Sequence, residues 1–398
     1  MKLILNVIIL LIFSLFFSGC AKNENVNQIS FSTWGSQSEI KILKPIIKKF
    51  EDENNIKVKL IHIPQNYFQK LHLLFASKQA PDVIFINNYY LPLYQKANLL
   101  LDLTPYFESE ITNNTYFENS IKSLSINGDL YALPRDISNM VIYYNKDVFK
   151  KCKVKQPDEN WTYNEFLNIS KKLTSNSHWA LGYEENPLFW EPILWSYGGE
   201  LFNKQKAFNL NKKESLDALK FYIELGTKYN VMPSKRDSTN QTMAQMFLNQ
   251  KIVMHISGRW LVPKYREEAN FDWDILPLPN GPKGSISGSD TSGWAISKQT
   301  KKIELALKFI KYLDSKEVLE KITNSGLITP AKKEIAYSKY FLNNEKPKNA
   351  KVFININYNA RINTIPENYN QKIEKLTKIL EPYFLGEKII SPDTKFEL

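Results

Sequence analysis

Arginine is nearly missing from this chain. Only five of its 52 basic residues are Arg (Arg135, Arg236, Arg259, Arg266 and Arg361), although the formal net charge is +11. Arg supplies the planar donor fork that reads phosphates and base edges. A lysine excess scattered among Asn and Ile therefore reads as a solvated surface, and nucleic acid is not an expected partner. Histidine is also scarce: His62, His72, His178 and His255 show no paired spacing, so no metal site is expected. Cysteine occurs twice. Cys152 sits in K-K-C-K-V-K with no His or Asn pattern near it, which argues against a catalytic thiol. Gly281-Pro282-Lys283-Gly284 lacks the spacing of a phosphate loop, and Gly284 to Gly288 carries Ile286 where a nucleophile elbow needs Ser. No cofactor is implied.

Long apolar runs are absent except at the start. Lys2, then Leu3 to Phe17 broken by Asn6 and Ser14, then Ser18-Gly19-Cys20, give a charged end, an apolar middle and a small-residue exit. The run is short for a bilayer span, so residues 1–19 read as a signal peptide. The exit resembles that of bacterial lipoproteins, with Phe17 where the pattern usually has Leu. That resemblance implies a lipid on Cys20, which anchors the protein to the membrane outside the cytoplasm and leaves Cys152 without a disulfide partner. Residues 20–28, polar and Asn-rich, read as a tether.

At 398 residues the chain exceeds one ordinary core and suggests two lobes. Ile29 to Trp34 alternates as a strand, and the helix after it shows Ile40, Leu43, Ile47 and Phe50 on one face. Ile56 to Ile63 is a second strand, followed by a helix with Phe68, Leu71 and Phe75 on its face. Val83-Ile84-Phe85-Ile86 is a continuous apolar run that suits a buried parallel strand. Strands alternating with helices indicate an α/β class. Further on, Asn127-Gly128 predicts a hairpin turn, Leu133-Pro134 a short strand, and Arg135-Asp136 a polar break. Met140 to Tyr144 is an apolar strand, after which Asn145-Lys146-Asp147 opens a helix. Thr162 and Glu165 form a capping box stapled by Trp161 and Phe166.

The stretch N-G-D-L-Y-A-L-P-R-D-I-S-N-M-V-I-Y-Y-N-K-D-V-F resembles the first lobe crossing of the extracellular solute-binding proteins of ABC transporters, in the family that includes the maltose-binding protein. A-P-D-V-I-F-I and Q-K-A-N-L-L-L-D-L-T-P-Y are similar to the same family, with Asn98 where it commonly has Gly. Gly288 to Ser297 and Gly326 to Ala331 look like its second and third crossings. The resemblance implies a two-lobed periplasmic-binding-protein fold of type II, whose discontinuous lobes (29–136 plus 290–330, and 137–289 plus 331–398) meet at a three-segment hinge. It also implies a monomeric binding protein, not an enzyme, that delivers a carbohydrate to the permease of an ABC importer.

A sugar ring has apolar C–H faces and a hydroxyl rim, so its site needs flat aromatics beside planar polar groups. Trp34, Trp190, Trp260 and Trp294 stand beside turns, and each could instead be a core residue. Trp34 is accompanied by Ser36 and Gln37, and Trp190 by Glu191. In the family, the position of Trp260 commonly stacks on sugar. Strand ends offer Asn87, Asn88, Tyr89, Arg135, Asp136, Ser138, Asn139 and Asp290. Arg361 lies in a stretch where the family sometimes reaches the cleft. Scarce Arg and abundant aromatics favour a neutral ligand over a phosphorylated polyol. A polyamine or a peptide remains a rival, as does a secreted glycosidase built on two of Asp136, Glu184, Glu185, Glu191 and Asp290.

Overall fold

Strand β1 (Gln28–Thr33) alternates buried and half-buried residues until Phe31, and it pairs in parallel with β2 (Lys57–His62) and β3 (Val83–Asn87). The helices between them run antiparallel to the strands, as a parallel sheet requires. These contacts come from a computed structural model that describes residues 27–112, 114–238 and 241–398. The signal segment, Cys20 and the start of the tether lie outside the described residues.

Helix α1 (Gln37–Asn54) buries Ile40, Leu43, Ile46, Ile47 and Phe50, which adds Ile46 to the predicted face. Helix α2 (Tyr67–Ala76) buries Tyr67, Leu71 and Phe75. Phe68, expected on that face, stacks instead on Tyr90 with ring centroids 3.5 Å apart. The continuous apolar run of β3 is explained by its two faces. Val83 and Phe85 join the core under α1, whereas Ile84 and Ile86 join the core under α2.

The hairpin β4 (Ser125–Ile126) and β5 (Asp129–Leu130) turns at Asn127 and Gly128, whose φ values are 56° and 98°. Two successive positive φ angles are what a two-residue hairpin demands, hence Asn-Gly. Asn98 likewise adopts φ 56°, meeting the need that Gly meets elsewhere in the family.

Strand β6 (Leu133–Ser138) corrects one expectation. Arg135 and Asp136 do not break the strand but lie within it, and the chain leaves the sheet after Ser138. The six-stranded sheet has the order β12-β6-β11-β3-β1-β2, with β11 (Asp290–Ile296) antiparallel to both β3 and β6, and β12 (Thr329–Pro330) antiparallel to β6. The returning strands run antiparallel because they come back from a second sheet. That sheet has the order β10-β7-β9-β8, built from β7 (Val141–Asn145), β8 (Trp179–Leu181), β9 (Ile252–Ser257) and β10 (Trp273–Leu276).

Each sheet carries its own helices. Around the second, α3 (Tyr163–Leu173) begins with the predicted capping box, and Trp161 stands 5.7 Å from Phe166. Helices α4 (Pro187–Tyr197), α5 (Lys213–Thr227) and α8 (Tyr369–Phe384) complete this lobe, the last burying Leu376, Leu380 and Phe384 in its core. Helices α6 (Ile303–Leu313) and α7 (Lys316–Asn324) return to the first sheet.

Two tryptophans expected beside turns lie elsewhere. Trp190 is within α4, fully buried, and its indole N–H donates to Glu185 O at 3.0 Å. Trp294 lies in β11 opposite Leu133 and Phe85, under the helices of the first lobe. It shares a sheet face with Ser292 but sits one step further from the strand end. There helices, rather than the cleft, cover the sheet. Trp294→Ala is expected to cost about 3–5 kcal/mol of unfolding free energy in a denaturant titration. Trp260→Ala, at a residue 36% exposed, should leave the midpoint close to the parent's.

Candidate ligand-binding cleft

Strand ends bring the polar residues together. The pairs Asp290↔Ser138 and Ser292↔Asp136 set four polar side chains on one face of the first sheet, at its edge towards the second lobe. Beside them, Arg135 lays its guanidinium 4.0 Å from the centroid of Phe85, and Trp34 packs 4.2 Å from Phe85 on a tilted plane. Arg135 Nε donates to Asp136 Oδ2 at 2.6 Å, and Nη1 donates to Glu39 Oε1 at 3.1 Å. All three charged groups are buried. Burial raises the Glu39 and Asp136 carboxyls above their usual range, and the Arg135 charge opposes that rise.

Across from them stands the turn after β9. Gly258 leads into a short 3-10 turn, Arg259–Leu261, and the Trp260 indole folds back over Gly258. A Cβ on Gly258 would lie 1.8 Å from that ring, so glycine makes the seat for the indole. Trp34, Glu39, Phe85, Arg135, Asp136, Ser138, Arg259, Trp260, Ser292 and Thr329 all line one cavity of about 100 Å³. That is well under the 300–1,000 Å³ usual for small-molecule sites.

A second polar group lies along the same strand edge. Asn88 Nδ2 donates to Asp290 Oδ1 at 3.2 Å, and Asn363 Nδ2 donates to Tyr89 Oη at 2.6 Å. Tyr89 stacks on Tyr369 at 5.3 Å. Burial, followed by the charge of Asp290, pushes the Glu191 carboxyl up to about 8. Burial pushes Asp290 up to about 6, against the hydrogen bonds it receives from Tyr89, Asn88 and Asn363. Arg361 pairs with Glu200 near the Trp195 ring, and its backbone N–H donates to Ser287 O beside the second crossing.

The predicted site residues thus separate. Trp34, Asp136, Ser138 and Trp260 line the cavity, and Asn88, Tyr89, Glu191 and Asp290 form the neighbouring group, with Arg361 next to them. Ser36 instead caps α1, accepting from Glu39 N at 3.2 Å, and Gln37 is exposed outside the cavity lining. Asn87 closes a turn by accepting from Tyr90 N at 3.3 Å. Asn139 Nδ2 donates within the second lobe to Phe353 O and Asn357 Oδ1, while its Oδ1 is buried without a partner among the described residues. Trp190 and Trp294 are core. Sequence reasoning missed Glu39, Phe85, Arg259, Thr329, Asn363 and Tyr369. Glu39 carried a usable signal, a carboxylate in the first helical turn after strand one, where open α/β sheets collect ligands. Asn363 and Tyr369 carried none.

A profile of bacterial extracellular solute-binding proteins matches residues 34–320. The chain belongs to that family. Its members are binding proteins that act outside the cytoplasm with ABC transporter permeases. The chain is 25% identical over 291 residues to the maltodextrin-binding protein MdxE of Bacillus subtilis, covering 68% of this chain and 65% of that one. It is 23% identical over 341 residues to the galactooligosaccharide-binding protein of the same organism, covering 81% and 79%. An ABC substrate-binding protein of Listeria monocytogenes, solved in complex with cycloalternan, superposes with a TM-score of 0.85 at 25% identity, covering 92% of this chain and 95% of that one. The maltose-bound MalE3 of T. maritima shares the fold, with a TM-score of 0.80 at 20% identity.

The raised carboxyls make stability depend on pH in a defined direction. A carboxyl whose pKa is higher folded than unfolded stabilises fully below its unfolded value, and the contribution is lost as pH rises through the folded value. The thermal midpoint should therefore fall between pH 5 and pH 8.5, by the equivalent of roughly a few kcal/mol at most. Glu191→Gln should flatten that decline above pH 6, as followed by calorimetry across the range.

Proposed function

We propose that this protein captures a carbohydrate, an oligosaccharide or glycoside, between its lobes and hands it to an ABC importer. The observation that carries this reading is the pairing of Trp34 and Trp260, from opposite lobes, around the charged groups Glu39, Arg135 and Asp136 in one cavity. Aromatic faces meet the C–H faces of a sugar, and buried charged groups meet its hydroxyls. Relatives named for maltodextrin and galactooligosaccharide binding support it.

Ligand contacts to both lobes would stabilise the closed form, and the importer would recognise that form. The lobes would comprise residues 29–136 plus 290–330 and residues 137–289 plus 331–398. Cys20 would carry the lipid that holds the monomer at the membrane, and no chemistry is done on the sugar. Glu191 and Asp290 have the unequal acidities of a glycosidase pair, but Asp290 is engaged by Asn88 and Asn363.

The test is thermal unfolding with a panel of mono- and oligosaccharides. A ligand at 100 times its Kd should stabilise by about 2.7 kcal/mol, with no product released. Trp260→Ala should weaken the responding sugar about tenfold or more without changing stability in its absence. A flat panel, or release of free sugar from an aryl glycoside, would overturn the reading.

A further inference from the structure

Arg259 is one of the residues lining the cavity, and its guanidinium packs on two rings behind that lining. Arg259 is 2% exposed, and among the described residues none of its three guanidinium nitrogens has a hydrogen-bond partner. Phe341 lies 4.0 Å from the guanidinium carbon and Phe353 5.2 Å, so the ion is in contact with two rings. Cation–π contact offsets part of the lost hydration but supplies no acceptor for the N–H groups. The two carboxylates of the cavity do not serve it. Glu39 and Asp136 both bind Arg135 and form their ion pairs there. Thr329 Oγ1, in the same cavity lining, is also buried without a partner among the described residues.

Scarcity of Arg in the sequence favoured a neutral ligand, yet three of the five arginines stand at or beside the cleft: Arg135, Arg259 and Arg361. Arg135 and Arg361 are answered by Glu39, Asp136 and Glu200. A planar guanidinium fork without an acceptor matches a carboxylate in shape and charge. A phosphate dianion fits less well, because Glu39 and Asp136 line the same cavity and repel a second charge.

We propose that the ligand is an acidic saccharide, a uronate-containing oligosaccharide, whose carboxylate is received by Arg259 while Trp260 stacks on the ring that bears it. This rests on the carbohydrate reading above and narrows it. It makes Arg259 the residue that sets specificity between acidic and neutral sugars.

The experiment is calorimetric titration of the protein with three sets of probes matched in length. They are oligogalacturonides and oligoglucuronides, their methyl esters, and the neutral galacto- and gluco-oligosaccharides, with hexose phosphates as a further arm. The free acid should bind at least about tenfold more tightly than its methyl ester and its neutral counterpart. Arg259→Gln should bring the ratio of acid to neutral affinity down to about one, and Arg259→Lys should keep part of the preference. The ester comparison uses the parent protein alone, so it decides even if a variant fails to fold. Equal affinity for acid, ester and neutral sugar would overturn the proposal and leave the carbohydrate reading intact, as would a hexose phosphate bound more tightly than the uronates. No binding of any saccharide would overturn both.

Discussion

The buried Arg135 guanidinium is the interaction on which the cleft depends. It is attached to β6, lies on the Phe85 ring of β3, and is gripped by Glu39 at the start of α1 and by Asp136 beside it. A charge taken out of water is tolerable only with close partners of opposite sign, so the three ions hold one another in place. Because Glu39 comes from the start of α1 and the Phe85 ring from the middle of β3, their contacts with Arg135 of β6 fix where these elements stand relative to one another. Trp34 then has a set position against Phe85, and the floor of the cavity is defined before any ligand arrives.

The second lobe contributes by a different device. No ion pair fixes Trp260. Gly258 lacks the Cβ that would occupy the indole's seat, and the 3-10 turn that follows presents the ring to the cavity. One wall is thus held by electrostatics in a dry interior and the other by a steric vacancy. A site whose two walls belong to separate cores can open at the segments joining them without disturbing either core.

Composition misled where placement mattered. Five arginines in a lysine-rich chain looked too few to suggest an anionic partner, yet charge scarcity over a whole surface says little about one buried pocket. Arg259 is informative because burial removes water as its alternative acceptor, and the same residue on the surface would carry no message. The same logic applies to Glu191 and Asp290: burial raises both carboxyls, the charge of Asp290 adds to the rise at Glu191, and hydrogen bonds from Tyr89, Asn88 and Asn363 oppose it at Asp290.

Sequence alone determined the α/β alternation, the Asn127-Gly128 turn, the capping box at Thr162 and the family. Each of these is written in local periodicity, in a backbone angle, or in a short motif, so it needs no knowledge of distant contacts. It also placed Trp34, Asp136, Ser138 and Trp260 at the cleft, because they sit at strand ends or in turns. Only the tertiary structure decided that Trp190 and Trp294 are core, that β6 runs on through Arg135 and Asp136, and that Asn87 and Asn139 serve the backbone around them. It also brought in Glu39, Arg259, Thr329 and Asn363 from remote positions. Which of two positions on the same strand face meets ligand and which meets helix depends on where the covering helices end. That boundary is set by contacts hundreds of residues apart, such as β11 lying between β3 and β6.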